Sequence, residues 1–312
     1  MADIILHHYP ASPFSEKVRL ILGYKGLAWK SVIVPSIAPK PDVVALTGGY
    51  RKTPFLQIGC DVYCDTALVA QVLEDIQPTP SLRSATQPEV ATVLAQWADS
   101  TLFWAALGYS FQPKGAAGFF EGAPPEAAAA FAQDRAAMSA GMTRLRPGDA
   151  ATAYRGYLQR LEGMLGLSTY LLGAQPCIAD FSAYHGLWFT RTCTPALASV
   201  FAPFPHVTAW MDRMAAIGHG SMEKMKSQQA IELCANAAAP AALPTGAFVD
   251  DHGIALGSQV SVSAESFGQE PTTGELVAAT ADRFILRRTD ERAGLVHVHF
   301  PRIGFVLRKA ER

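Results

Sequence analysis

The junction at residues 10–13, where a short strand turns straight into a helix between two prolines, constrains this chain more than any other feature. Ile4-Ile5-Leu6-His7-His8-Tyr9 has the composition of a strand, and Pro10-Ala11-Ser12-Pro13 turns the chain. Pro13 suits the first helical turn, where the missing N–H would have had no partner anyway. After it, Phe14, Val18, Ile21 and Leu22 recur with helical spacing. Gly26 ends that helix, and residues 29–34 read as a second strand. A Pro-rich loop follows, then short strands at 55–58 and 62–63 joined by a turn at Gly59. Residues 65–76 form a helix with Asp65 placed to cap its start. The order over residues 1–80 is therefore β-α-β, loop, β-β-α.

Residues 81–235 change character. Apolar positions recur at helical intervals over 89–111, an Ala-rich helix is expected over 127–142, and an amphipathic one over 151–172. The stretch 181–189 is apolar nearly all round and reads as a buried helix. Another amphipathic helix spans 207–217, with a charged final one behind it. Residues 236–246, rich in Ala, Pro and Gly, read as a linker. Beyond it the period drops to two at 259–263, 283–286, 295–300 and, less strictly, 303–308. Turn signals at 271–274 and 292–294 separate these runs, so residues 247–312 are expected to form a small antiparallel β domain.

Three places carry chemistry. Ser12-Pro13-Phe14-Ser15 sets a hydroxyl beside the free N–H groups of a helix start, which favours an anion such as a thiolate. The bland alternative is that Ser12 only caps the helix. Thr53-Pro54 leads into a strand. Such a proline can be cis, turning the Thr53 backbone toward an extended peptide, or it can be an ordinary trans residue. Cys64-Asp65-Thr66 opens the next helix, where Asp65 can take an ammonium and Thr66 a carboxylate, or the two can act as caps alone.

The run Tyr9-Pro10-Ala11-Ser12-Pro13-Phe14-Ser15-Glu16-Lys17-Val18-Arg19 resembles the first loop and helix of the glutathione transferase superfamily. Arg51-Lys52-Thr53-Pro54-Phe55-Leu56 resembles its Val-Pro loop, with Thr in the Val place. Cys64-Asp65-Thr66-Ala67-Leu68 resembles its Glu-Ser segment, with Asp and Thr substituted. Together, in this order and spacing, they are a strong joint signal over residues 3–235. The resemblance implies a thioredoxin-like domain (1–80) followed by an all-helical domain (81–235), as a homodimer. It places the γ-glutamyl end of glutathione near Asp65 and Thr66, the cysteinyl backbone at Thr53-Pro54, and the sulfur near Ser12. Tyr9 and Ser15 are rivals for the sulfur. With serine at both ends of the tetrapeptide, a protein–glutathione mixed disulfide is not available there. The implied reaction is attack of the thiolate on a small electrophile, as in detoxification, or a glutathione-dependent reduction or isomerisation. The electrophile pocket is expected between the two domains, and Trp104, Tyr109 and Phe111 either line it or belong to the core. Gln175-Pro176-Cys177-Ile178-Ala179-Asp180 resembles the family's buried capping box, with Cys177 in the hydroxyl place, and its role is folding.

Composition narrows the field. The formal net charge of −1, with no long run of like charge, argues against a nucleic-acid surface or a polybasic membrane patch. No signal peptide or membrane-length apolar run is present in the sequence, so a cytoplasmic protein is expected. Cys60, Cys64, Cys177, Cys193 and Cys234 form no CxxC pair and read as reduced thiols. His297 and His299, near Arg302, share a strand face suited to metal binding, but a third ligand is not evident in the sequence, and no metal is expected. Two other readings stand beside the transferase: a non-catalytic adaptor on the same fold, and a dehalogenase or ring-fission isomerase branch.

Overall fold

A computed structural model describes residues 2–243, 248–249 and 251–310. The N-terminal unit comprises β1 (Ile4–His8), α1 (Pro13–Tyr24), β2 (Trp29–Ile33), α2 (Pro41–Thr47), β3 (Phe55–Ile58), β4 (Asp61–Cys64) and α3 (Thr66–Ile76). β1 lies between parallel β2 and antiparallel β3, and β4 pairs antiparallel with β3. This is a thioredoxin-like arrangement. Alternation along β1 sends Ile4 and Leu6 into one core and Ile5 into another, so the sheet is buried on both faces.

The first core is shared with a helical block: α4 (Pro88–Trp97), α5 (Phe103–Ser110), α6 (Pro113–Phe119), α7 (Pro125–Met138), α8 (Pro147–Leu165), α9 (Ile178–Trp188) and α10 (Pro205–Ala216). α4 and α5 are one rod interrupted by a π-helical turn, Ala98–Leu102. α9 is buried as its all-round apolar sequence required, with Ala179, Phe181, Ala183 and Leu187 all out of solvent.

The chain then returns to the sheet. β5 (Met222–Met225) adds parallel to β2 at one edge, and α11 (Ser227–Ala235) packs Ala230, Ile231 and Cys234 into the second core. Gln57, buried in mid-sheet, fixes that return: its Nε2 donates to the Ala230 carbonyl at 2.8 Å and its Oε1 pairs with His7 Nε2 at 2.8 Å. The extra C-terminal strands are β6 (Gln259–Ala264), β7 (Thr272–Ala279), β8 (Arg283–Asp290), β9 (Gly294–Pro301) and β10 (Phe305–Lys309). They pair antiparallel among themselves, and β9 pairs in parallel with β4. One ten-stranded sheet results, ordered β10-β6-β7-β8-β9-β4-β3-β1-β2-β5.

Several expectations need correction. The Pro-rich loop contains α2, which starts on Pro41 and stops at Gly48 with φ 82°. Seven residues are too few for a helical period to show. α6 was missed for the same reason. β5 is four residues long and mostly exposed, so only its ladder to β2 makes it a strand. The expected turn at 271–274 is largely strand: Thr272, Thr273 and Gly274 pair with β6, and Gly274 packs closely on Leu286 and Arg287. α8 ends at Leu165, capped by Gly166, rather than at residue 172. Of the expected linker, residues 244–246 lie outside the described residues. Among the described residues no helix is long and apolar enough to cross a membrane.

Candidate functional site

The start of α1 is built as the sequence implied. Ser12 holds an extended backbone (φ −80°, ψ 120°), and its Oγ accepts the Ser15 N–H at 3.2 Å. The same hydroxyl donates to the Thr53 carbonyl at 3.4 Å, a long bond that joins two segments 41 residues apart. Ser12 is 2% exposed. The Thr53–Pro54 peptide bond is cis. Thr53 Oγ1 accepts a weak 3.4 Å bond from Lys40 Nζ, which also donates to the Arg51 carbonyl at 3.1 Å. Burial draws the Lys40 ammonium down to about 8.

The start of α3 is strained. Asp65 caps it through Oδ1, which accepts the Ala67 N–H at 2.9 Å. Asp65 has φ 76°, the sole positive φ at a residue other than glycine among those described. Such conformations cost about 1–3 kcal/mol and concentrate at ligand sites. The Asp65 N–H donates to the Tyr50 hydroxyl at 3.1 Å. Thr66 is buried, and its Oγ1 accepts from Lys17 Nζ at 3.2 Å.

Ser12 and Thr53 therefore meet directly, with Pro54 next along the chain, while Asp65 is tied to Tyr50 of the loop that carries Thr53 and Thr66 to Lys17 of α1. The rivals for Ser12 sit differently. Ser15 is wholly buried, and its Oγ has no hydrogen-bond partner among the described residues. The Tyr9 hydroxyl accepts from Arg135 of α7 at 3.4 Å.

Lys17 was not singled out in the sequence. It is fully buried and bonds Asp99 Oδ2 at 2.6 Å. Asp99 sits in the π-helical turn, and its other oxygen pairs with His185 Nε2 at 3.0 Å. Burial alone would raise the Asp99 carboxyl. The Lys17 ammonium and the His185 hydrogen bond outweigh it and hold the group below the usual carboxylate range. The signal was spacing: Lys17 lies three residues after Phe14 and four before Ile21, on the apolar stripe.

The added strands brace the site from outside. Thr272 Oγ1 accepts the Tyr50 N–H at 3.1 Å and donates to the Thr47 carbonyl at 2.9 Å. Gly49 approaches Pro271 so closely that a Cβ would lie 2.0 Å from its carbonyl oxygen. Arg51 pairs with Glu270 and with Asp134 of α7. The Lys52 ammonium lies over the Tyr50 and Phe305 rings at 5.4 and 5.0 Å. Of the three aromatics expected to line a pocket, Trp104 is half-buried and packs edge-on against Phe267 of the β6–β7 loop at 5.3 Å. Tyr109 belongs to the helical core, against Tyr154. Phe111 joins a cluster with Phe119, Phe131 and Phe189.

The cap at α9 closes on itself. Asp180 Oδ2 accepts the Cys177 N–H at 3.0 Å, and Oδ1 accepts from Leu171 N and Trp210 Nε1, both at 2.9 Å. The Cys177 thiol donates to Oδ2 at 3.4 Å.

Comparison with known proteins agrees with this architecture. Residues 6–81 match the glutathione S-transferase N-terminal domain, and residues 147–217 match the C-terminal domain. A GST-like protein from Pseudomonas syringae is 42% identical in sequence, and its crystal structure superposes with a TM-score of 0.83 over 99% of this chain and 100% of that one. This chain belongs to the glutathione S-transferase superfamily. The match to the Pseudomonas protein runs through the extra strands, so this glutathione transferase-type chain shares its C-terminal extension with that relative. FtsZ-localized protein A of Caulobacter vibrioides is 26% identical over 183 residues, 57% of this chain and 73% of its own. The beta-etherase LigF of Sphingobium sp. strain SYK-6 shares the transferase fold at 20% identity, with a TM-score of 0.50 over 68% of this chain and 95% of that one.

Proposed function

We propose that this protein binds glutathione and activates its thiolate for attack on the electrophilic carbon of a small molecule. The observation that carries the reading is the direct contact between Ser12, at the start of α1, and Thr53, beside the cis Thr53–Pro54 bond. A tripeptide laid along Thr53 would put its sulfur at the Ser12 hydroxyl and the helix N-terminus. There the hydroxyl would leave Thr53 and donate to the thiolate. A free thiol with a pKa of about 8.5 is mostly protonated at neutral pH, so holding the anion generates the nucleophile. In the reaction a C–S bond forms while the leaving group departs with its electron pair. Asp65 and Thr66 would take the γ-glutamyl ammonium and carboxylate. Lys40, beside Thr53, would supply the cation for the glycine carboxylate. Trp104 and Phe267 would border the electrophile, between the two transferase domains. We propose a cytoplasmic homodimer, which sedimentation of the purified protein checks.

Calorimetry with glutathione tests the site. Asp65→Ala is expected to weaken binding about tenfold or more, the loss of one charged contact worth about 1.4 kcal/mol. Ser12→Ala is expected to keep binding and raise the pKa of the bound thiol, read from its ultraviolet absorbance. Absence of binding at millimolar glutathione overturns the proposal. A second reading is a non-catalytic adaptor, favoured by the match to FtsZ-localized protein A. It predicts no turnover with a generic aryl halide and a protein partner of the kind that relative's name gives, FtsZ.

A further inference from the structure

The histidine pair on β9 has a third neighbour that lies more than 230 residues away in sequence. Parallel pairing of β4 with β9 sets Asp61 opposite His297 and Tyr63 opposite His299. Asp61 Oδ1 lies 2.8 Å from His299 Nε2 and 3.9 Å from His297 Nδ1. One ligand atom from each residue falls within 4.8 Å of the other two, and all three side chains are buried. Among the described residues His297 Nδ1 has no hydrogen-bond partner, although it lies 3.9 Å from that carboxylate. A buried imidazole nitrogen left unpaired costs free energy that a ligand would recover. The carboxylate is already aimed, because its Oδ2 accepts the Ala241 N–H at 2.7 Å. Hydrogen bonds of this kind orient metal-binding carboxylates.

We propose that Asp61, His297 and His299 form a binding site for a divalent cation of the zinc class. The donor chemistry selects the class. Two imidazole nitrogens disfavour magnesium and calcium, which prefer all-oxygen shells, and the absence of a thiolate from the trio disfavours the softest ions. Three protein ligands leave a coordination position for water. The site spans the backbone ladder that joins the C-terminal strands to the N-terminal sheet, so a bound ion would staple β4 to β9. It is independent of the glutathione reading, because none of its residues contacts Ser12, Thr53 or Asp65 through any hydrogen bond described above.

The test uses full-length, tag-free protein stripped with a chelator. Titration with cobalt(II) is expected to give visible ligand-field absorption that saturates at one equivalent and is displaced by zinc. His297→Ala removes no hydrogen bond from the Nδ1 atom, so it is expected to fold, and it should weaken cobalt binding by more than about tenfold. Asp61→Asn should do the same. Zinc should raise the melting temperature of the wild type and leave that of His297→Ala unchanged. Absence of the cobalt spectrum, or wild-type cobalt affinity in folded His297→Ala, overturns the proposal and leaves the trio as a hydrogen-bonded latch.

Discussion

Two helix starts in this molecule are capped by an aspartate in different ways. At α9, Asp180 is fully buried and accepts from Leu171, Cys177 and Trp210, so its bonding capacity is spent within the fold. At α3, Asp65 is half-buried, accepts only the Ala67 N–H among the described residues, and holds a backbone conformation (φ 76°, ψ 137°) that glycine would hold more cheaply. A cap whose acceptors are all used stabilises the fold. One that is strained, with acceptor capacity to spare, carries a cost to stability, and in the proposed function a ligand's ammonium uses that capacity.

Breaking the α9 cap has the largest expected effect. Asp180→Ala strands four buried donors, the Leu171 and Cys177 N–H groups, Trp210 Nε1 and the Cys177 thiol, and a loss of about 3 kcal/mol or more is expected in urea denaturation. Glutathione affinity of the fraction still folded should be unchanged. Asp65→Gly sharpens the contrast. Relief of about 1–3 kcal/mol of strain offsets the lost cap and the entropy of glycine. The urea midpoint should therefore hold or rise while glutathione affinity falls about tenfold. A midpoint that drops by as much as that of Asp180→Ala would make the two caps equivalent. The smallest effect concerns pH. Lys40 is charged below about 8 and neutral above it. Affinity for S-methylglutathione, which has no titrating thiol, should fall several-fold as pH rises through that value, and Lys40→Met should flatten the profile.

The parts of the fold legible in sequence were those with a local cause. The α1 start was readable because Pro13 and Ser12 each have one natural place there, and α9 because an apolar circumference demands burial. The site residues were named from resemblance and local chemistry, while Lys17 and Lys40 were not. A lysine on an apolar stripe looks like a pattern error until Asp99 arrives from 82 residues away. The short helices α2 and α6 and the four-residue edge strand β5 carry too few residues for a period to emerge.

The sequence by itself determined the order of elements, the change of period near residue 247, and the loop-to-helix junctions that resemble a glutathione site, because turns, caps and amphipathic spacing act over a few neighbouring residues. Tertiary structure decided what joins what. It ran the C-terminal strands into the N-terminal sheet through β4 and β9, set Phe305 and Thr272 against the loop that carries Thr53, and brought Asp61 to His297 and His299. Strand pairing has no local code: any exposed edge offers the same N–H and C=O groups, and the choice among edges is made by which apolar faces can be buried together.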